Sequence, residues 1–136
     1  MRQSSLKMGV SGGNLPMLEI KLWSLKENKY RRSYLTLDTG ASITTLPKNI
    51  LNILGYTFQH KKNQRIITAS GVELVESINL EKMKIGVFEL EDVEVYALNF
   101  PEESFIAGVL GINVLSKFDI ELNFSKKEVV FKEIID

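Results

Sequence analysis

The chain has 136 residues, enough for one hydrophobic core and too few for two ordinary domains. Hydrophobic residues make up 44% and charged residues 25%, and 17 Lys and Arg offset 17 Asp and Glu, which argues against nucleic acid or an anionic membrane surface as the main partner. The absence of cysteine excludes disulfides, thiolate nucleophiles and cysteine-held metals.

Residues 1–14 are polar and contain Ser11-Gly12-Gly13-Asn14, so they read as a flexible arm ahead of a single domain over residues 15–136. The arm has no apolar segment of the kind a secretory signal needs. No apolar run in the chain is long enough to cross a bilayer, so the expected location is the cytoplasm. From Met17 the pattern has period two: Leu18, Ile20 and Leu22 alternate with Glu19 and Lys21, which predicts a half-buried strand. Glu27-Asn28-Lys29 predicts a turn, and Tyr30 to Leu37 a second strand ending at Asp38. Pro47 can open a helix, because its missing N–H has no partner to lose there. Ile50, Leu51, Ile53 and Leu54 give that helix an apolar face, and Gly55 stops it.

Gln59 to Gln64 is a polar loop, and Arg65 to Thr68 with Val72 to Leu80 form a candidate hairpin around Ala69-Ser70-Gly71. Met83 to Ile85 and Phe88 to Leu98 predict a strand pair hinged at Gly86. Phe105 to Leu110 is a short apolar strand, and Ile112 to Phe118 has room for two helical turns. Ile120, Leu122 and Phe124 alternate again, and Ser125-Lys126-Lys127 turns the chain into a last strand from Glu128 to Ile134. Many short strands with two short helices make the expected fold all-β, a barrel or a sandwich.

The chemistry concentrates in Leu35-Thr36-Leu37-Asp38-Thr39-Gly40-Ala41-Ser42, where a strand delivers an acid into a turn of small residues. Burying a lone carboxylate is costly, and a second acid sharing its proton is one way to compensate. The chain has a single Asp-Thr-Gly, so it reads as half of a site. An Asp that merely starts a turn is the plainer alternative. A second motif, Val109-Leu110-Gly111-Ile112-Asn113, follows about seventy residues later, with two apolar residues and a glycine ahead of a short helix.

Together these motifs make the chain resemble the retropepsin-like aspartic proteases, single-lobe and homodimeric relatives of pepsin. The resemblance runs from about Met17 to Phe131. The tail Val114 to Leu122 is similar in style to bacterial members and to the DNA-damage-inducible ubiquitin-shuttle proteins. The resemblance implies a retropepsin-like acid-protease barrel with one or two short helices. It also implies an aspartic endopeptidase with no cofactor and no metal, whose two copies of Asp38 activate a water between them on an extended peptide or protein substrate. Asp38, Thr39 and Gly40 would form the catalytic turn, Thr39 reaching across the interface and Gly40 allowing close backbone approach. Ala41 and Ser42 would meet substrate, as would a flap at Ala69, Ser70, Gly71 and Val72. Leu110, Gly111 and Asn113 would support the turn.

The chain departs from the viral pattern at two positions. Ser42 stands where retroviral enzymes carry an Asp, and Ile112 where they carry an Arg, so that salt bridge is absent. Viral dimers rely on a sheet of chain termini, and the strand Glu128 to Ile134 is the candidate for it here. A catalytically silent dimeric scaffold that holds a peptide without cutting it is the rival reading. His60, the only histidine, reads as a surface residue, Asp92 and Asp119 as solvated, and Arg31-Arg32 as a solvated charged face.

Overall fold

The computed structural model describes residues 2–10, 16–57, 62–68, 71–99 and 108–135. Strands β1 (Gln3–Lys7) and β2 (Gly9–Val10) come first, then β3 (Pro16–Ser24), β4 (Lys29–Leu37) and β5 (Thr45–Pro47). Helix α1 (Lys48–Ile53) leads to β6 (Lys62–Thr68), β7 (Gly71–Ile85) and β8 (Phe88–Leu98). The short β9 (Val109–Leu110), helix α2 (Ile112–Leu115), β10 (Phe118–Asn123) and β11 (Glu128–Glu133) complete the chain. The fold is all-β with two short helices, as the period-two runs require.

Six strands close on themselves. Their order is β3-β4-β9-β5-β8-β7, and the ring shuts where Lys21 and Leu22 of β3 pair with Lys84 and Met83 of β7. β2 extends the sheet beyond β3, and β6 extends it beyond β7. The even residues of β3 supply the interior: Leu18, Ile20 and Leu22 are buried and pack with Leu35 and Leu37 of β4. Leu80, Met83 and Ile85 of β7 join the same cluster. A separate sheet, in the order β1-β11-β10, packs on the barrel through aromatic rings. Phe118 lies 5.0 Å from Phe88 and 5.4 Å from Phe131, between centroids.

The structure corrects four sequence expectations. Over their described residues, 1–14 are strands rather than a free arm. Gln3 to Lys7 pair with Lys132 to Glu128, and Met8 is buried, its N–H bonded to the Lys127 carbonyl. Ladder hydrogen bonds and the burial of Met8 outweigh the polar composition of Gln3, Ser4 and Ser5.

Next, β7 is one strand and does not break between Leu80 and Met83. What changes there is the inward face: the pairing skips Glu81, opposite Asp92, whose φ of 54° bends the ribbon. Third, α2 is a single turn ending at Leu115, because Phe118 is drawn into the second sheet. Finally, Ile53 is exposed, so the apolar face expected of α1 is carried by Leu51 and Leu54 with half-buried Ile50.

Candidate active site

Asp38 follows the last residue of β4, where the strand has run out of ladder partners on one side and found an unusual one on the other. β9 lies parallel to β4, with Thr36 opposite Val109 and Leu37 opposite Leu110. β9 also lies antiparallel to β5 through Val109 and Thr45. The strands on either side of the Asp38 turn are therefore not paired with each other. β9, from late in the chain, is threaded between them. The Asp38 N–H donates to the Leu110 carbonyl at 3.1 Å, which fixes the point where the acid leaves the sheet.

The turn is closed locally by the acid itself. Asp38 Oδ1 accepts from the Gly40 N–H at 2.8 Å, and the Ala41 N–H bonds to the Asp38 carbonyl at 3.3 Å. A Cβ at Gly40 would sit 3.1 Å from that carboxylate oxygen. Asp38 is half-buried, while Thr39, Gly40 and Ser42 are exposed. A single chain therefore presents the acid on an open face rather than sealing it in a core.

Beneath the turn lies a polar brace. The Gly111 N–H donates to Thr44 Oγ1 at 3.0 Å, and that hydroxyl donates to Asn113 Oδ1 at 2.9 Å. The same Asn113 oxygen accepts the Thr44 N–H at 2.8 Å, and Asn113 Nδ2 donates to the Glu94 carbonyl at 2.8 Å. One side chain on α2 thus ties the end of the acidic loop to β8. The backbone adds to this: the Ile112 N–H bonds to the Ala41 carbonyl and the Asn113 N–H to the Ser42 carbonyl. Gly111 is required for close approach, not for its torsion angles. A Cβ there would lie 2.7 to 2.9 Å from main-chain atoms of Ile43, Thr44 and Ala41.

The structure therefore brings together Asp38, Thr39, Gly40, Ala41, Ser42, Leu110, Gly111 and Asn113, with Leu110 fully buried under the turn. Ser42 and Ile112, without a salt bridge, are held in neighbouring positions by main-chain bonds alone. Ala69 and Ser70 lie outside the described residues. Gly71 and Val72 begin β7, paired with Thr68 and Ile67, so a β6–β7 hairpin exists where the flap was expected. Thr44 is the site residue that sequence reasoning missed. The Thr-Thr pair ahead of a short apolar segment hints that hydroxyls are used there, but it does not say by what.

Residues 28–117 match the model of a family described as "gag-polyprotein putative aspartyl protease". No curated protein matches the sequence. Among solved structures, the chain is similar to the crystal structure of a retropepsin-like aspartic protease from Rickettsia conorii. The TM-score is 0.69 at 18% identity, over 96% of this chain and 91% of that one. At that identity the likeness is one of fold.

Proposed function

This chain belongs to the gag-type, retropepsin-like aspartic protease family, and from that premise we propose that it is an aspartic endopeptidase completed by a second copy of itself. The observation that carries the reading is the single Asp38 per chain, braced from below yet half exposed on an open face. Two such turns meeting face to face would set two carboxylates a few ångströms apart. Both cannot ionise readily at that distance, so one proton is shared between them. The ionised member takes a proton from a water held between them as that water attacks the scissile carbonyl. The protonated member polarises the carbonyl oxygen. No covalent intermediate forms.

The remaining residues take roles that follow from position. The Thr39 hydroxyl, exposed beside the acid, would bond across the two-fold axis. Ala41 and Ser42 would line the bound strand, and the β6–β7 hairpin at Ala69 to Val72 would close over it and exclude water. Support for self-association comes from the second sheet, where β10 is an outer strand and Leu122, Phe124, Ile134 and Ile135 are exposed. A free strand edge beside exposed apolar side chains is a natural place for a second chain.

Asp38→Asn tests the reading. The amide cannot share or take the proton, so the variant should fold and keep its solution mass while peptide hydrolysis falls by about a thousandfold or more. Cleavage by Asp38→Asn at the parent rate would remove Asp38 from the chemistry.

A further inference from the structure

The outer face of the barrel carries a groove of about 690 Å³, separate from the Asp38 turn. Its floor is the solvent side of β3 at Met17, Glu19 and Lys21, and one wall is the chain from Ser5 to Gly9. Tyr34 of β4, with Lys84 and Gly86 at the end of β7, completes the lining.

Strand register sets charge of one sign across the Lys21 end of this groove. Lys21 stands opposite Arg32 on β4 and opposite Lys84 on β7, so three cations share one row across three neighbouring strands. Like charges directly opposite in a sheet oppose folding. Lys7 adds another cation from the wall. The carboxylate in the lining, Glu19, lies 3.7 Å from Arg32. Glu89, opposite Lys84 on β8, is 3.9 Å from Lys82 instead. Among the described residues, Lys7, Lys21 and Lys84 have no ion-pair partner.

Apart from Ser5 the remaining side chains of the lining are mostly apolar, with Leu6, Met17 and the Tyr34 ring over the buried Met8. The groove is also long. Met17 to Lys21 covers roughly 13 Å of β3 at the rise of a strand, the reach of four or five extended residues. Its Met17 end lies opposite Thr36, close to where β4 gives way to Asp38.

We propose that this groove is an exosite for an extended protein segment that alternates acidic and apolar residues. The proposal rests on the proteolytic reading, since it assigns that segment to the substrate, beside the residues being cut. Carboxylates of the segment meet Lys7, Lys21 and Lys84 and relieve the repulsion in the row. Apolar side chains of opposite phase settle on Met17 and the Tyr34 ring. A small anion would use the charges and leave the apolar length unused.

The test uses Asp38→Asn protein, so that bound peptide is not consumed, and a fluorescein-labelled peptide alternating Glu and Leu, with a Lys–Leu peptide as its counterpart. The acidic peptide should bind saturably and the basic one should not. Lys21→Glu with Lys84→Glu should weaken binding by about tenfold or more, and Lys21→Gln with Lys84→Gln by less. Equal affinity for the two peptides, indifference to both paired variants, or displacement by an oligonucleotide as readily as by unlabelled acidic peptide would overturn the proposal. Hydrolysis measured with the parent chain separates the two readings. Peptide binding by a protein that cuts nothing keeps the groove and removes the protease. Cutting that ignores acidic residues and Lys21 keeps the protease and removes the exosite.

Discussion

Asn113 does more than its sequence neighbours suggest. Its amide oxygen takes both donors of Thr44 and its amide nitrogen reaches the Glu94 carbonyl, so three hydrogen bonds converge on one side chain. Asn113→Ala leaves the Thr44 N–H without its partner in a buried setting and should cost about 2–3 kcal/mol of stability. A urea titration of the variant should show the lower midpoint with an unchanged slope. The acid of this site was legible from sequence because its signature is local: Asp38, Thr39 and Gly40 are consecutive, and the turn is closed by a bond between residues 38 and 40. Gly111 and Asn113 were legible as a motif. Thr44 was not, because its partners Gly111 and Asn113 are distant in sequence, and nothing near residue 44 announces them.

At the level of strands, the terminal sheet differs from the one expected. β11 was the candidate for pairing with a second chain, yet it is the middle strand, with β1 on one edge and β10 on the other. Both of its edges are satisfied within the chain. This arrangement was hidden because Gln3 to Lys7 lacks the apolar alternation that marks a strand, and β11 had to supply the template. β1 is also fastened at its far end. Arg2 donates to the Val87 carbonyl at 2.9 Å and lies over the Phe88 ring, and Ser4 Oγ accepts the Val87 N–H. In the proposed dimer, the outward edge of β10 is the one that could take a second chain. Phe124 is 66% exposed, more than any core role tolerates. Phe124→Glu should therefore shift the protein toward monomer in analytical ultracentrifugation while leaving its circular dichroism unchanged. A variant that stays as dimeric as the parent would move the interface off this edge.

For the whole molecule, the proposed division of the site between two copies would make activity depend on concentration. Specific activity should fall on dilution through the dimer dissociation constant and recover on reconcentration, whereas a site complete in one chain would give a constant value. The equal counts of acidic and basic residues leave no net repulsion to oppose that encounter. The barrel itself was legible as a class, from alternation in β3, β4 and β8, but its closure was not. The β3–β7 contact consists of two residue pairs far apart in sequence, and no local pattern specifies it.

The threading of β9 between β4 and β5 also bears on how the chain comes into being. Thr44 and Asn113 are separated by 69 positions, so the acidic loop emerges from the ribosome long before the segment that holds it. Until α2 has been synthesised, Gly111 and Asn113 are absent and the loop has nothing to rest on. Non-local pairing of this kind forms late and slowly. A nascent polypeptide of this design carries an unbraced acidic loop until residues 111–113 have been made.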